Sequence, residues 1–261
     1  MMRALGIAAT GMQAQQTNVE VISNNIANVS TTGFKRSMPA FVDLLYQSNS
    51  RVGTVSSETG TVLPTGTQMG LGVRQAGTTR IVTQGTLTQT DNQLNVAING
   101  RGYFGVTLPS GDVAYTRDGS FQLSSTGQIV TNEGYAIEPN ITVDPTSTAV
   151  TINQAGQVIV TAANGKQSTV GQFKLYLFAN ESGLEAMGGN NFLATDASGD
   201  PIAGTPAEAG YGTVSQGYLE SSNVNVVQEI TNLITAQRAY ELNSKVIEAA
   251  DQMMQTTSQI R

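Results

Sequence analysis

The carboxylates of Asp118, Glu133, Glu138 and Asp144 are the side chains best suited to acid–base chemistry in this sequence. Two such groups that face one another across a cleft can hydrolyse a glycosidic bond. Their spacing singles out no such pair, and Asp118-Gly119 is ordinary turn chemistry. A β-sandwich hydrolase or carbohydrate-binding protein with helical tails therefore stays an alternative that the pattern does not favour.

A glycine-rich run at residues 100–105, GRGYFG, has the spacing of a dinucleotide-binding loop. Such a loop must open a helix whose N-terminus meets the pyrophosphate. The residues that follow, VTLPSGD, instead predict a strand and then a turn. A tight hairpin or bulge beside packed aromatic side chains explains these glycines better.

The composition lowers the expectation of catalysis and of nucleic-acid binding. The 261 residues include no Cys and no His, so thiolate sites and the commonest general base are excluded. The net charge is -6 and the one basic cluster is Lys35-Arg36, whereas phosphate binding relies on concentrated positive charge. We predict no enzymatic activity, no cofactor, no metal site and no nucleic-acid partner.

The elements that position these residues begin with a long amphipathic helix. Its stripe alternates spacings of three and four, which indicates a heptad seam and predicts a helix over about 3–29. The stripe consists of Leu5, Ala8, Met12, Gln15, Val19, Ile22, Ile26 and Val29. Gly33 followed by Phe34 is typical of a helix stop.

A second amphipathic helix is predicted at the C-terminus, where apolar residues recur every seven positions. The row is Val226, Leu233, Tyr240, Ile247 and Met254, joined by Ile230, Ile234, Val246, Ala250 and Met253. No Pro or Gly follows Gly217, so nothing breaks this helix. Two narrow stripes at opposite ends favour coiled-coil pairing over packing into an ordinary core.

The middle of the chain changes to short β-branched or aromatic runs separated by turn residues. The predicted fold class is α+β, with long N- and C-terminal helices that pair as a coiled coil around a central, mostly antiparallel β domain. We place the helical segments at 1–33 and 216–261 and the β domain at 76–215. Residues 34–75 are interpreted as an extended connector, with a flexible linker as the alternative.

Amide side chains on the stripes suggest a role in specificity. Asn18, Asn25 and Asn28 lie on or beside the N-terminal stripe, and similar places near the C-terminus are held by Gln237, Asn243 and Ser244. A polar residue in a seam costs stability but selects register and partner, because wrong pairings leave it unsatisfied. The alternative is that these amides point to water.

The termini also bear on location. No apolar run approaches the roughly 20 residues that span a bilayer, so we predict no direct membrane insertion. The first residues, MMRALGIAATGMQAQQ, continue as an amphipathic pattern rather than a cleavage region. We interpret them as mature helix, which leaves a cytoplasmic protein or one exported without a cleaved signal.

Two long motifs, SNNIANVSTTGFKR and SSNVNVVQEITNLITAQRAYELNSKVIEAADQM, resemble the bacterial flagellar axial family of rod, hook and related proteins. The similarity extends to FVDLLYQ, SSETGTVLPTGTQMGLGVR, LNVAINGRGYF and YTRDGSF. It implies terminal helices that form a coiled-coil inner tube, with the β domain outside. It also implies a structural subunit that polymerises helically into the distal rod, a rigid shaft carrying torque to the hook. A proximal rod or hook subunit is the alternative within the family.

The resemblance further implies partners and candidate contact residues. The partners are further copies of the chain, other rod and hook proteins, the type III export apparatus and the surrounding bushing rings, in a basal body that crosses the periplasm. The expected self-assembly seam is Leu5, Met12, Val19, Ile22, Asn25, Ile26, Asn28, Val29, Val226, Ile230, Leu233, Gln237, Tyr240, Ile247 and Met254. Residues 46–65 are implied to stiffen the rod, through Tyr46, Ser56, Ser57, Leu63 and Pro64.

Overall fold

A computed structural model describes residues 2–50, 65–144, 147–163 and 165–259, apart from the side chains of residues 49 and 50. The chain divides into two compact units. The first contains Met1–Ile26, Ser37–Thr79 and Val226–Arg261, and the second contains Ala27–Arg36 and Arg80–Asn225. The fold class is α+β, with a helix near each terminus and a mostly antiparallel β region between them.

The first unit holds both long helices and a set of paired strands. Its elements are α1 (Met2–Ala27), β1 (Ser37–Asp43), β2 (Tyr46–Ser50), β3 (Thr67–Gly70), β4 (Val73–Arg80) and α2 (Val226–Gln259). Helix α1 ends two residues before the predicted limit, because the Asn28 carbonyl accepts the Thr31 N–H at 3.2 Å and turns the chain. Gly33 lies six residues beyond the end of α1, so the prediction that it stops this helix is wrong.

The strands β1 to β4 form a ribbon where the sequence predicted an extended connector. Strand β1 pairs with β4, and β2 pairs antiparallel with β3 so that Tyr46 lies opposite Gly70. Between the two pairs, Leu44 N–H donates to the Gly72 carbonyl at 2.8 Å, and Leu71 N–H donates to the Leu45 carbonyl at 3.2 Å. In strands β1 to β4 the backbone is extended, and cross-strand hydrogen bonds hold it in place.

The second unit is built from short strands. They are β5 (Leu87–Gln89), β6 (Val96–Asn99), β7 (Tyr103–Thr107), β8 (Val113–Thr116), β9 (Gln122–Leu123), β10 (Ile129–Val130), β11 (Ala136–Glu138), β12 (Ser147–Ile152), β13 (Gln157–Ala162), β14 (Gln167–Gln172), β15 (Leu175–Leu177), β16 (Glu185–Gly188), β17 (Asn191–Leu193), β18 (Ile202–Gly204), β19 (Thr213–Gln216) and β20 (Tyr218–Glu220). Residues 216–225, which we assigned to the C-terminal helical segment, thus contain the last residue of β19, the Gly217 turn at φ +75° and the whole of β20.

The strands of the second unit pair antiparallel around a packed apolar core. The largest sheet runs β16-β17-β8-β7-β11-β10-β9, and β15 pairs with both β7 and β18. Strands β12, β13 and β14 form a second sheet, while β19 pairs with β6 and β20 with β5. In the core, the Phe104 ring meets Phe121 edge to face with centroids 5.2 Å apart. Aromatic pairs of this geometry add stability beyond their buried area.

The GRGYFG run begins in the turn between β6 and β7 and continues into β7, so it opens a strand rather than a helix. Gly100 and Gly102 have φ of +114° and +136°, in the region that side chains with a Cβ rarely adopt. A Cβ on Gly100 would lie 2.9 Å from Gly212 Cα. These glycines are required by the tight turn and by the close approach of a neighbouring backbone.

Candidate functional site

Helices α1 and α2 pack against each other in opposite directions. Asn25 Nδ2 of α1 lies 3.3 Å from Glu229 Oε2 of α2. Further along, a Cβ added to Gly11 would lie 2.9 Å from Asn243 Nδ2. Fourteen residues separate the two contact positions in each helix, which corresponds to about 21 Å of helix axis. The pair is therefore antiparallel and keeps its register over this distance.

Small side chains dominate the buried positions of the helix pair. The buried apolar residues are Ala8, Ala14, Ile22, Ala236 and Ala250. Ala236 lies seven residues from each of Glu229 and Asn243, the two α2 residues that contact α1, and Ala250 lies seven residues beyond Asn243. Because the distance between packed helices depends on the side chains between them, this row allows a close approach. The large apolar residues of α2 therefore lie on other faces of the helix.

Asn25 joins both helices to the first strand. Its side chain is 2% exposed. Asn25 Oδ1 accepts the Ser37 N–H at 2.9 Å, and Nδ2 donates to the Ser37 carbonyl at 2.8 Å and to Glu229 Oε2 at 3.3 Å. Each of its polar atoms thus has a partner. The amide that we expected to select a neighbouring subunit is hydrogen-bonded within its own chain.

The predicted seam residues differ in how much of each side chain is covered within one chain. Ile22 and Asn25 are buried. The half-buried members are Leu5, Met12, Val19, Ile26, Asn28, Val29, Leu233, Ile247 and Met254. The exposed members are Val226, Ile230, Gln237 and Tyr240. Covered and uncovered seam residues both occur, so packing within one chain accounts for only part of the stripe.

Helix α2 carries further exposed apolar side chains, which lie outside the seven-residue row. Val227 is 76% exposed and Leu242 is 63% exposed, and our sequence reasoning missed both. Ile234, Val246 and Met253 are also exposed. Such residues can be recognised in a sequence when apolar side chains occur on more than one face of a predicted helix.

A groove of about 400 Å³ lies between the two helices. It is lined by Gln16, Val19, Glu20, Gln237, Tyr240 and Glu241. Val19 and Tyr240 supply the apolar surface, and the two glutamates supply negative charge. Gln16 Nε2 donates to Glu20 Oε1 at 3.1 Å, and Arg238 Nη1 lies 3.1 Å from Glu241 Oε2.

The ribbon exposes apolar side chains as well. Leu45 is 83% exposed, and the other exposed members are Met38, Val42, Tyr46, Met69 and Leu71. A paired ribbon has little stability of its own in water, and clustered exposed apolar side chains mark contact surfaces. Of the predicted stiffening residues, Tyr46 lies on β2. Ser56, Ser57, Leu63 and Pro64 lie outside the described residues.

Lys35, Arg117 and Glu220 form a buried ion cluster in the second unit, which we name the clasp. Glu220 is 1% exposed; its Oε1 pairs with Lys35 Nζ, and its Oε2 lies 3.1 Å from Arg117 Nη1. Lys35 Nζ also donates to the Thr83 carbonyl at 2.9 Å, and Arg117 Nη2 to the Gly100 carbonyl at 2.8 Å. Burial lowers the pKa of Lys35, an effect that Glu220 opposes. A single carboxylate thus holds two buried cations.

Backbone contacts beside the clasp explain the GFKR motif at residues 33–36. Gly33 N–H donates to the Glu220 carbonyl at 2.7 Å, and Arg36 N–H donates to Asn223 Oδ1 at 2.8 Å. Gly33 has φ +69°, and a Cβ there would lie 2.9 Å from the Arg117 carbonyl carbon. Glycine is therefore required at this position, because no larger residue fits beside the Arg117 backbone.

The candidate acid–base residues have structural partners. Asp118 and Glu133 line the same polar pocket of about 210 Å³. Asp118 Oδ1 accepts a hydrogen bond from the Ser120 hydroxyl at 2.7 Å, and Glu133 Oε2 accepts one from Asn191 Nδ2 at 3.2 Å.

Burial, together with the negative charge of Glu138, raises the pKa of Tyr176 to about 12. Within the described ranges, no group of three or more acidic side chains is arranged to hold a metal ion.

Comparison with known proteins links three segments of the chain to flagellar families. Residues 5–35 match the model described as flagella basal body rod protein. Residues 97–160 match the flagellar hook protein FlgE/F/G D1 domain, and residues 215–260 match the flagellar basal body rod FlgEFG protein C-terminal model.

Full-length relatives carry the same description. The flagellar basal-body rod protein FlgG of Caulobacter vibrioides is 54% identical over 261 residues, which cover 100% of both chains. The chain belongs to the flagellar basal-body rod protein family. Rod proteins of the same name from Buchnera aphidicola subsp. Schizaphis graminum and Agrobacterium fabrum are 52% and 48% identical, over 100% and 98% of both chains.

In this basal-body rod family member, the clasp draws one residue from each matched segment. Lys35 ends the first, Arg117 lies within the second and Glu220 lies near the start of the third. The family segments are therefore joined by buried charges inside one chain.

No helix in the part of this rod-family chain that the structure describes is both long and apolar enough to cross a membrane.

Proposed function

We propose that the chain is a structural subunit of the distal rod of the bacterial flagellar basal body. Copies polymerise helically into a rigid tube, which acts as a drive shaft and carries motor torque to the hook. The observation that carries this proposal is the uncovered apolar surface of α2, where Val227, Ile234 and Leu242 remain exposed beside the helix pair. Exposed apolar surface of this kind marks a contact with another molecule.

In the proposed polymer the terminal helices pair as a coiled coil and form the inner wall. The predicted seam residues supply the contacts between subunits, and the segments 1–33 and 216–261 act together as one assembly module. The β segment 76–215 lies outside. The antiparallel register of α1 and α2, marked by the contacts of Asn25 with Glu229 and of Gly11 with Asn243, supports this arrangement.

The ribbon has a stiffening role in the proposal. Its exposed Leu45, Tyr46, Met69 and Leu71 add contacts between neighbouring subunits, so that the tube resists bending. The proposal places residues 46–65 at these contacts. Burial of four such side chains in a polymer contributes on the order of several kcal/mol per subunit.

We also propose the cellular setting of the subunit. It is exported by the flagellar type III apparatus without a cleaved signal peptide and assembles in the basal body, where the rod crosses the periplasm. Its partners there are other rod and hook proteins and the surrounding bushing rings. The role is structural, and no step of it requires catalysis.

Assembly should be coupled to ordering of the helices, because long helices with uncovered apolar faces are marginal in isolation. We expect circular dichroism to show more helix in the polymer than in the monomer.

Leu233→Asp should block rod growth and leave the β region folded, because a carboxylate cannot be buried in the seam. Gln252→Asp, on an exposed position of α2, is the matched control. Normal polymerisation of the Leu233 variant would contradict the seam.

Deletion of residues 46–65 distinguishes the distal rod from a proximal rod or hook subunit. In a distal rod the deletion should give a softer or bent structure in electron micrographs of purified basal bodies. A straight rod with wild-type stiffness would instead favour assignment of the chain to the proximal rod, in which this segment should contribute little to stiffness.

A further inference from the structure

We infer that successive subunits contact each other through two different surfaces of the helix pair. Leu242, Val246 and Met253, which we name the ridge, enter the groove between α1 and α2 of a second copy. The inference rests on the proposed self-assembly and specifies which faces meet.

The ridge and the groove lie on opposite sides of α2. At about 100° per residue, the three ridge residues fall within a sector of about 40°. On the same helix, the groove residues Gln237 and Tyr240 point roughly 140° or more away from the middle of that sector. One copy therefore presents a convex apolar edge on one side and a concave apolar surface on the other.

The two surfaces are also complementary in chemistry. The ridge is apolar and exposed, and Lys245 lies exposed beside it between Leu242 and Val246. The groove offers the apolar Val19 and Tyr240, and its rim carries the carboxylates of Glu20 and Glu241. When the ridge of one copy occupies the groove of the next, Lys245 approaches the Glu20 carboxylate on the rim, since Glu241 is already paired with Arg238. A ridge facing another ridge would bring two lysines together, which is unfavourable.

This geometry determines the kind of assembly. A contact between two copies of the same patch closes as a dimer and stops. A contact between two different patches joins copies head to tail, which closes into a ring where the rotation between copies allows and otherwise continues as an open polymer. In an open rod, opposed ridge and groove surfaces leave a free ridge at one end and a free groove at the other, which gives the polymer a direction.

Cysteine cross-linking tests the contact directly, because the sequence contains no cysteine. Cells that carry only the Val19→Cys/Leu242→Cys chain should yield basal bodies in which oxidation gives a ladder of cross-linked oligomers. Each single variant should give none. A cross-linked dimer from Leu242→Cys alone would overturn the inference, since it requires ridge to meet ridge. Assembled rods without a ladder would also overturn it and would leave the proposed function intact.

A charge exchange provides the second measurement, in case the cysteine variant does not assemble. Glu20→Lys and Lys245→Glu should each raise the protein concentration needed for polymerisation, on the order of twofold to fivefold. The double variant should return towards wild type, because the pair is restored with reversed signs. A double variant that is worse than both single ones contradicts the contact. Failure of the wild-type chain to enter rods at all would instead overturn the proposed function.

Discussion

Asn25 and Glu229 meet through a hydrogen bond of 3.3 Å, although 204 residues separate them in the sequence. Asn25 lies in the last turn of α1, and Glu229 lies buried in the first turn of α2, where the helix dipole favours a negative charge. The same amide exchanges two hydrogen bonds with the Ser37 backbone at the start of β1. One side chain thus fixes the relative positions of both helices and the ribbon.

Replacement of this amide by a carboxylate should disrupt the first unit. Asn25→Asp removes both N–H donors and places a negative charge beside Glu229, at a cost of about 3 kcal/mol or more. Urea unfolding of the polymerised chain, followed by the helical circular dichroism signal, measures this cost. The deficit should shrink as the pH falls, because protonation of the new carboxyl restores a donor. Asn18→Asp, at a half-buried position of α1, is the control and should cost far less. Equal losses in both variants would argue against the contact.

Because the clasp is buried, a Glu→Gln substitution should lower the free energy of unfolding far more there than at an exposed ion pair. Glu220→Gln leaves the buried cations of Lys35 and Arg117 without their anion, which should lower the free energy of unfolding by about 3–5 kcal/mol. Glu241→Gln breaks a pair with Arg238 whose side chains are 55% and 75% exposed, and should cost at most about 1 kcal/mol. Denaturant unfolding of the monomers compares them. A small loss at Glu220 would mean that the clasp does not stabilise the unit.

Two glycines of α1 test the close approach of the helices. Gly11 faces Asn243, whereas a Cβ on Gly6 would meet nothing within 4 Å. Gly6→Leu should therefore stabilise the helix pair of the polymerised chain by up to about 1 kcal/mol, because leucine favours the helix more than glycine does. Gly11→Leu should destabilise it by about 1–3 kcal/mol, because the added side chain collides with Asn243 across the helix pair and must displace it. Thermal unfolding of the two variants gives the comparison, and the same sign at both positions would refute the close contact.

Alkaline pH should destabilise the second unit through its buried tyrosines. Burial raises the pKa of Tyr176 from 10.0 to about 12, so the folded chain keeps this proton while the unfolded chain loses it. The free energy of unfolding should then fall as the pH rises from 10 to 12. In Tyr176→Phe this part of the pH dependence should disappear. Urea titrations across the range, with tyrosinate absorbance as the readout, check the slope, and an unchanged slope would contradict the assignment.

Local signals in the sequence predicted both helices. The three-and-four spacing placed a helix over 3–29 where the structure has Met2–Ala27, and the lack of Pro and Gly after Gly217 allowed the long α2. Such signals are local because helix hydrogen bonds join residues four apart. The β character of the middle region also followed from short runs and turn residues. The resemblance to flagellar proteins rested on residues that the sequence shows directly.

Periodicity did not reveal which residues cover one another within the helix pair. The positions of α2 that contact α1 are Glu229 and Asn243, and buried alanines lie on the same row. Alanine contributes little to the hydrophobicity of a stripe. The prediction of the buried face therefore relied on the larger apolar residues, which lie on another row. Which face is covered depends on the close approach of a second helix, and no local pattern encodes that distance.

The sequence by itself determined the helical ends, the β middle and the family. Only the tertiary structure decided the clasp, since Lys35 and Arg117 lie 185 and 103 residues from Glu220. It also decided that strands β1 to β4 pair into a ribbon. Helix propensity and turn chemistry act between neighbouring residues, and they are legible in sequence. Charge pairing and strand pairing depend on which distant segments share a buried environment, so their free energy is defined only when the chain has folded.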